Sequence, residues 1–334
     1  MNCISQTDDR GSSIPNSIYT YGTGCANVLN LLDRVFGPDS STTVVYEGVG
    51  KRIVDSFMHG MNGTFQIDHL NPGTIFAYGQ TSSGKTYTMH GEDSSPGLIY
   101  LATKDIFDYM ANTPNRQFIL RGSYVEIYKE NVRDLLNPDS VKLRIHESYD
   151  RGVYVDSKEE VLRSYDDVLN VSPVSPFHSQ LLHRGDKNRH VGVTNMNQQS
   201  SRSHTIFKLV CESRVHPDCL ESPDDSTGVL VGQLSLVDLA GSESVKHTGA
   251  QDDRLSEAGK INLSLSVLSR VIQTLATRTE NSHVSFRDSK LTRLLQTSLD
   301  GNSRTAIIAC VTPASSFCVG EKGAMKGRRR RAAR

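Results

Sequence analysis

The chain has 334 residues, and its 37 basic and 37 acidic side chains give a formal net charge of zero. A neutral chain is a poor match for general nucleic-acid binding, so we expect no specific nucleic-acid partner. The six cysteines form no Cys-x-x-Cys pair, which favours reduced thiols over a zinc site or a disulfide framework. No apolar run reaches the roughly 18 residues of a membrane helix, so we expect a soluble cytoplasmic protein without a membrane partner.

The first half of the chain alternates between helical and extended patterns. About 30 residues rich in Ser, Thr, Asn and Gly come first and are typical of loop. Val45, Val49, Ile53 and Phe57 then recur every four residues and predict an amphipathic helix that ends near His59. The elements predicted next are a buried strand over Thr74–Tyr78, a helix from Lys85 to His90, a helix from Leu98 to Met110, and a strand over Phe118–Tyr128.

The second half predicts the remaining strands and the longest helix. Val229 to Leu239 is almost continuously apolar, as expected for a central strand covered on both faces. The other predicted elements are short strands over Val153–Val155, His204–Glu212 and Thr305–Val311, and a long helix from Leu255 to Leu275. Helices alternating with strands predict an α/β fold with a central mixed, mainly parallel sheet and helices on both faces. Sustained heptads are absent, so we find no oligomerisation element encoded in this sequence.

The strand over Thr74–Tyr78 leads into a phosphate-loop motif of the form G-x-x-x-x-G-K-[ST]. The motif comprises Gly79, Gln80, Thr81, Ser82, Ser83, Gly84, Lys85 and Thr86. Its glycines allow the backbone N–H groups to converge on phosphate oxygens, Lys85 adds a positive charge, and the Thr86 hydroxyl can bind Mg²⁺. A Gly/Ser-rich turn that matches by chance is the alternative, and the strand before the loop and the helix after it disfavour that alternative.

Two later motifs narrow the function. A phosphate loop alone is shared by GTPases, kinases, transporters and motors. Residues Asn197–His204 read N-x-x-S-S-R-S-H, just before the alternating strand, and Asp238–Glu243 read D-L-A-G-S-E, at the end of the apolar strand. An acid at the carboxyl end of a buried strand is where such folds hold the Mg²⁺ shell, so Asp238 is predicted to act on the metal.

Together the three motifs resemble those of the kinesin motor domain, a phosphate-loop NTPase. Three further sequence segments agree with this family: GQTSSGKTYTM from Gly79, KIN from Lys260 and RDSKLTR from Arg287. The resemblance covers roughly residues 33–314, and the spelling NRHVG..NMN..SSRSHTIF resembles the centromere-associated (CENP-E-like) subfamily as found in plants.

The resemblance implies a role for each matching residue. The phosphate loop would hold ATP, Tyr87 would pack against the adenine, and Mg²⁺ would be held by Thr86, Ser201 and Asp238. Arg202 and Glu243 would form the ion pair that closes the two switches around the attacking water. Gly241 would sense the γ-phosphate, and Asn262 would complete the closed pocket.

The resemblance also implies a microtubule (tubulin) surface and a cytoskeletal location. Arg287, Lys290 and Arg293 lie where the family binds its track. From the residues alone, these three cations are more typical of a solvated helix face, and only the resemblance reverses that interpretation.

Three departures from the family pattern qualify these expectations. Nothing before Asp33 contains the family's R-x-R-P strand, and residues 315–334 form an unmatched tail with seven basic side chains and no acid after Glu321. That tail fits a nuclear-localisation or polyanion-binding segment as well as a merely solvated one. Segments 65–74 and 171–180 look inserted, since removing them restores the family text. The predicted organisation is therefore a poorly matched segment 1–32, an incomplete motor domain 33–314 and the tail.

The leading hypothesis is an ATP-dependent microtubule motor domain that hydrolyses ATP on microtubule binding. The alternative is a truncated kinesin-derived protein that binds nucleotide or microtubules without directional motility, which the departures favour. A GTPase switch is a third hypothesis, but it would need an N-K-x-D-like guanine motif, and none follows the second switch motif.

Overall fold

The computed structural model describes residues 33–60, 71–92, 95–140, 142–148, 152–168, 181–190, 202–219, 229–243, 252–277, 283–299 and 303–312. Its helices are α1 (Thr42–Val45), α2 (Lys51–Gly60), α3 (Lys85–His90), α4 (Leu98–Ala111), α5 (Leu181–His190), α6 (Asp252–Thr277), α7 (Lys290–Leu294) and α8 (Gln296–Leu299). Its strands are β1 (Asn71–Tyr78), β2 (Gly91–Glu92), β3 (Ser95–Pro96), β4 (Arg116–Tyr128), β5 (Asn131–Asp134), β6 (Ile145–Ser148), β7 (Gly152–Val155), β8 (Glu160–Leu162), β9 (His204–Val215), β10 (Leu230–Asp238) and β11 (Arg304–Ala309).

A seven-stranded mixed sheet forms the centre of the described structure, in the order β11-β1-β10-β9-β4-β5 with β8 also on β4. Strand β1 pairs in parallel with both β10 and β11, whereas β9, β4, β5 and β8 join through antiparallel pairs. Four of the seven strands (β1, β4, β10 and β11) therefore share one direction. The predicted α/β class with a mixed central sheet is confirmed.

Helices cover both faces of this sheet and create two apolar cores. On one face α2, α4 and α5 pack against alternate strand residues such as Ile75, Tyr124 and Phe207. On the other face α6, α7 and α8 pack against the intervening residues, among them Phe76 and Val237. Because neighbouring residues of one strand face opposite cores, the central strands are apolar throughout, as their sequences predict. None of the helices in the described ranges is long and apolar enough to cross a membrane.

The predicted helix that ends near His59 is present but is not a regular α-helix. It starts at Thr42, where the Ser41 hydroxyl accepts from the Val44 N–H at 3.3 Å, and a π-helical turn over Tyr46–Gly50 separates α1 from α2. An apolar spacing of four residues is wider than the ~3.6 residues of an α-helical turn, and the π turn supplies the extra residue. Val45, Ile53 and Phe57 are consequently all buried.

The structure describes residues at the edge of each predicted insertion. Residues 71–74 belong to β1, three residues earlier than the predicted strand, and they pair in register with residues 232–235 of β10. Thr74 is buried and donates to the Ser298 hydroxyl at 2.7 Å. At the second segment the Leu182 N–H donates to the Val168 carbonyl at 3.3 Å, so the chain leaves and rejoins the core at one point. Residues 65–70 and 171–180 lie outside the described residues, and their insertion stays a prediction.

The contact between α5 and β4 leads to a stability prediction. A methyl group on Gly185 would overlap the buried ring of Tyr124. Replacing a helical glycine by alanine usually gains up to ~1 kcal/mol, but overpacking a core costs about 1–3 kcal/mol. We therefore expect Gly185→Ala to lower the free energy of unfolding in urea titrations. His183→Ala, at an exposed position of the same helix, is the control, and equal stability of the two variants would contradict the packing argument.

Candidate nucleotide site

The phosphate loop and the second switch motif are held side by side by the sheet. Ala77 at the end of β1 is the register partner of Asp238 at the end of β10. Beyond these strands the Leu239 N–H donates to the Ala77 carbonyl at 3.2 Å, and the Ser242 N–H donates to the Gly79 carbonyl at 3.1 Å. Both motifs therefore emerge at the carboxyl edge of parallel strands, where open α/β sheets bind their ligands.

The loop backbone has the curled conformation that the motif predicts. Gly84 caps α3 with a φ of 95°, in the left-handed region that glycine adopts without strain. A side chain at Gly79 would overlap the Cys310 carbonyl of the neighbouring strand end. Ser82 takes a φ of 62°, although it is not a glycine. The buried Ser83 hydroxyl has no hydrogen-bond partner in the described structure, so a polar group remains available inside the loop.

Lys85 is the buried cation of the site. Its side chain is only 7% exposed, and Nζ donates to the Gln80 carbonyl at 2.7 Å. Burial lowers the pKa of Lys85, while the carboxylates of Asp238 and Glu243 act in the opposite direction. A partly desolvated ammonium group next to an acidic pair can be compensated by a polyphosphate, whose oxygens also accept hydrogen bonds.

Thr86 and Asp238 form a pair suited to Mg²⁺. The Thr86 hydroxyl donates to Asp238 Oδ2 at 2.7 Å, whereas Oδ1 of the same carboxylate is buried and has no hydrogen-bond partner in the described structure. Magnesium prefers oxygen ligands and usually retains water and phosphate oxygens in its shell. The hydroxyl, the orphaned carboxylate oxygen and the adjacent phosphate loop therefore fit this metal.

Glu243 of the second switch contacts the phosphate loop. Its carboxylate accepts from the Thr81 N–H at 2.9 Å and from the Thr81 hydroxyl at 2.5 Å. The expected ion pair of Glu243 with Arg202 is not among the ion pairs of the described residues, and it stays a prediction. The sequence could not distinguish the two partners, since Thr81 and Arg202 both lie in motifs adjacent to the same site.

The structure describes part of the remaining predicted site. Gly241 is buried, and a side chain there would overlap the ends of the Glu243 and Thr81 side chains, so a larger residue would displace their contact. Tyr87 is half-buried on α3. Asn262 lies within α6, and Ser201 lies outside the described residues. The structure thus brings the phosphate loop, Asp238, Gly241 and Glu243 together, and the metal role of Ser201 stays a prediction.

The predicted microtubule residues lie on the opposite face of the sheet from α4. Arg287 is exposed and pairs with Glu147 at 3.2 Å. Lys290 begins α7, where its backbone N–H donates to Glu130 at 2.6 Å, and Arg293 is half-buried in the same helix. Glu130 belongs to a two-residue turn between β4 and β5, in which both Lys129 and Glu130 have positive φ. This strained turn fixes the start of α7.

The sequence reasoning missed a buried polar cluster behind the switches. Arg189 is 4% exposed and donates to the Ser203 hydroxyl at 3.1 Å, and its Nε lies 3.7 Å from the buried Glu126 carboxylate. His204 is also buried, with ring nitrogens bonded to Ala240 and Ser264. His204 closes the first switch motif, which was the available signal, whereas nothing in the spacing of Arg189 and Glu126 indicated that they meet.

The fold and this site define a phosphate-loop nucleotide-binding protein. Residues 26–322 match the family described as Kinesin motor domain, slightly beyond the predicted range at both ends. The chain is 47% identical over 283 residues to Kinesin-like protein KIN-7I of Oryza sativa subsp. japonica, covering 84% of this chain and 22% of that protein. It is 47% identical over 286 residues to Kinesin-like protein KIN-7C, mitochondrial, of Arabidopsis thaliana, covering 85% and 29%.

A solved structure described as "Structure of a fast kinesin: Implications for ATPase mechanism and interactions with microtubules" superimposes with a TM-score of 0.71 at 36% identity, covering 89% of this chain and 80% of that one. The chain belongs to the kinesin motor domain family. It spans less than a third of the length of the two plant relatives.

Buried His204 leads to a pH prediction. Burial lowers its pKa to about 3, and the positive charges of Arg189 and Lys85 act in the same direction. Because an unfolded histidine titrates near 6.5, the unfolded chain binds the proton more readily, and stability present above pH 6.5 is lost as pH falls towards 3 at up to ~1.4 kcal/mol per unit. Between pH 7 and 5.5 we expect the wild type to lose roughly 1 kcal/mol more than His204→Asn in urea unfolding. Equal losses would contradict a neutral, buried His204.

Proposed function

We propose that this chain is an ATP-hydrolysing motor domain whose turnover is stimulated by microtubules. The proposal is carried by one arrangement, the phosphate loop in direct contact with the second switch through Thr81–Glu243 and Thr86–Asp238. Kinesin motor domains are microtubule-stimulated ATPases, and membership of that family supports the same activity here.

The proposed substrate is ATP with Mg²⁺. The loop amides and Lys85 would hold the phosphates, Tyr87 would pack against the base, and Thr86, Ser201 and Asp238 would hold the metal. When bound, Mg²⁺ supplies positive charge against the phosphate oxygens during phosphoryl transfer. In such a reaction the protein chiefly positions groups and stabilises charge, which suits a site built from backbone N–H groups and one buried cation.

Closure of the site would require Glu243 to change partner. In the structure its carboxylate is bound by Thr81. We propose that Glu243 leaves Thr81 for Arg202 when the first switch approaches, and that Gly241 and Asn262 complete the closed pocket around the attacking water. In the structure the Glu243 carboxylate faces Thr81 of the phosphate loop, so turning it towards Arg202 would set the phosphate loop and the first switch in competition for it. This competition gives two discrete arrangements, as a nucleotide-dependent switch needs.

The proposed partner is the microtubule, with Arg287, Lys290 and Arg293 as contact residues and the cytoplasmic cytoskeleton as location. Because these three side chains are positively charged, their binding to tubulin would be electrostatic. The two plant relatives carry the group name KIN-7, and we propose that this chain is a motor of that plant group. The resemblance to a centromere-associated subfamily stays a prediction that these names do not support, and nothing in the comparisons favours the truncated, non-motile alternative.

Steady-state ATP turnover with and without microtubules tests the proposal. We expect stimulation of the wild-type chain by microtubules and a loss of at least about 100-fold in Lys85→Ala, because the buried charge on the phosphates is removed. Lys104→Ala, an exposed lysine on α4, should behave as wild type. A wild-type chain without ATP turnover, or turnover that survives Lys85→Ala, would refute the proposal.

Charge reversal at the start of α7 and in the turn before it tests the partner surface. The double variant Arg287→Glu/Lys290→Glu should raise the microtubule concentration for half-maximal stimulation roughly tenfold at low salt, with a smaller effect as salt screens the surface charges. Basal turnover should be unchanged, because these residues lie away from the phosphate loop. Lys104→Glu makes the same kind of change on the opposite face of the sheet. If it weakens the microtubule response equally, the effect is one of net charge and the surface assignment is wrong.

A further inference from the structure

The ring of His204 is bonded on both sides in the interior of the protein. The Ala240 backbone N–H donates to Nδ1 at 2.9 Å, and Nε2 lies 2.7 Å from the Ser264 hydroxyl. A backbone N–H can only donate, so Nδ1 is the acceptor and the ring hydrogen lies on Nε2, which donates to Ser264. The side chains of His204 and Ser264 are each 2% exposed. The imidazole is therefore a neutral, oriented group with two assigned partners.

These two bonds join three separate parts of the site. His204 is the first residue of β9 and the last residue of the first switch motif. Ala240 stands between Asp238 and Gly241 of the second switch, and Ser264 lies near the middle of α6. Leu265 and Leu268 of α6 pack in the same core as Leu291 of α7, next to the proposed microtubule residues. His204 is thus a polar contact between the switch region and the helix layer beneath it.

We propose that His204 is a positioning residue that couples the backbone of the second switch to α6, so that α6 follows the nucleotide state. The inference rests on the proposed function and adds to it the residue through which the site reaches the helix layer. When the backbone at Ala240 moves, the rigid ring transmits the displacement to Ser264 instead of absorbing it. No proton transfer is involved, since Arg189 and Lys85 both disfavour a charged ring.

The surroundings of His204 argue against a purely space-filling role. An apolar side chain would fill the position, yet it would leave the Ala240 N–H and the Ser264 hydroxyl of this interior without these bonds. The preceding Ser203 is held by Arg189, which sits 3.7 Å from the buried Glu126 carboxylate of β4. The backbone at Ser203 is therefore anchored to the sheet through Arg189, and the His204 ring next to it is the group that contacts both Ala240 and α6.

Ser264→Ala removes the contact to α6 while leaving the ring and the nucleotide site in place. We expect its basal ATP turnover to stay within about twofold of wild type and its stimulation by microtubules to fall roughly fivefold, the change that loss of one net hydrogen bond corresponds to. Ser266→Ala is the matched control, because Ser266 is exposed and its hydroxyl donates to Leu263 of the same helix. His204→Asn should reproduce the loss, and the double variant His204→Asn/Ser264→Ala should lose no more than His204→Asn alone.

Hydrogen exchange of the full chain gives a readout that does not depend on turnover. In the wild type the amides of residues 263–277 should exchange at different rates with ADP and with a non-hydrolysable ATP analogue, and Ser264→Ala should abolish that difference while Ser266→Ala keeps it. A nucleotide-dependent difference that persists in Ser264→Ala, or that is absent from the wild type, overturns the inference. A wild type that shows the exchange difference but no microtubule stimulation would instead refute the proposed function and leave the coupling supported.

Discussion

The parallel pairing of β1 with β10 is the constraint on which the rest of the site depends. It sets Ala77 beside Asp238, and every later contact between the phosphate loop and the second switch follows from that register. A shift of one residue would turn Asp238 to the opposite face of the sheet and separate it from Thr86. The two cores secure the register, since Phe76 and Val237 face one helix layer while Ile75 and Leu236 face the other. The packing that stabilises the sheet therefore also sets the geometry of the site.

Around this register, the buried cations of the site lie close to carboxylates. Lys85 lies near Asp238 and Glu243, Arg189 lies near Glu126, and His204 between them is kept neutral. Buried charges that lack partners are costly, and the carboxylates of Asp238 and Glu243 are each hydrogen-bonded to a threonine hydroxyl of the phosphate loop.

Much of the fold and the centre of the site could be predicted from the sequence because they rest on local patterns. Apolar periodicity located the long helix and the central strands, and the phosphate-loop spacing located Lys85, Thr86 and the glycine positions. The features that the sequence did not predict depend on contacts between distant parts of the chain. The start of β1 at Asn71 depends on partners more than 150 residues away, and the π turn of Tyr46–Gly50 reflects how that helix seats on the sheet. The binding of Glu243 to Thr81 and the meeting of Arg189 with Glu126 are set by tertiary packing, which spacing does not encode.

The hydrogen bond between Leu182 and Val168 has a consequence for handling this protein. Because the two ends of the intervening segment are already fixed to each other, the entropy of closing it grows only slowly with its length, by ~0.6 kcal/mol for each doubling. Val168, Leu181 and Leu182 are each buried in the same core. We therefore expect this position to accept an inserted fluorescent domain or affinity tag, which would be joined to the helix that carries Arg189.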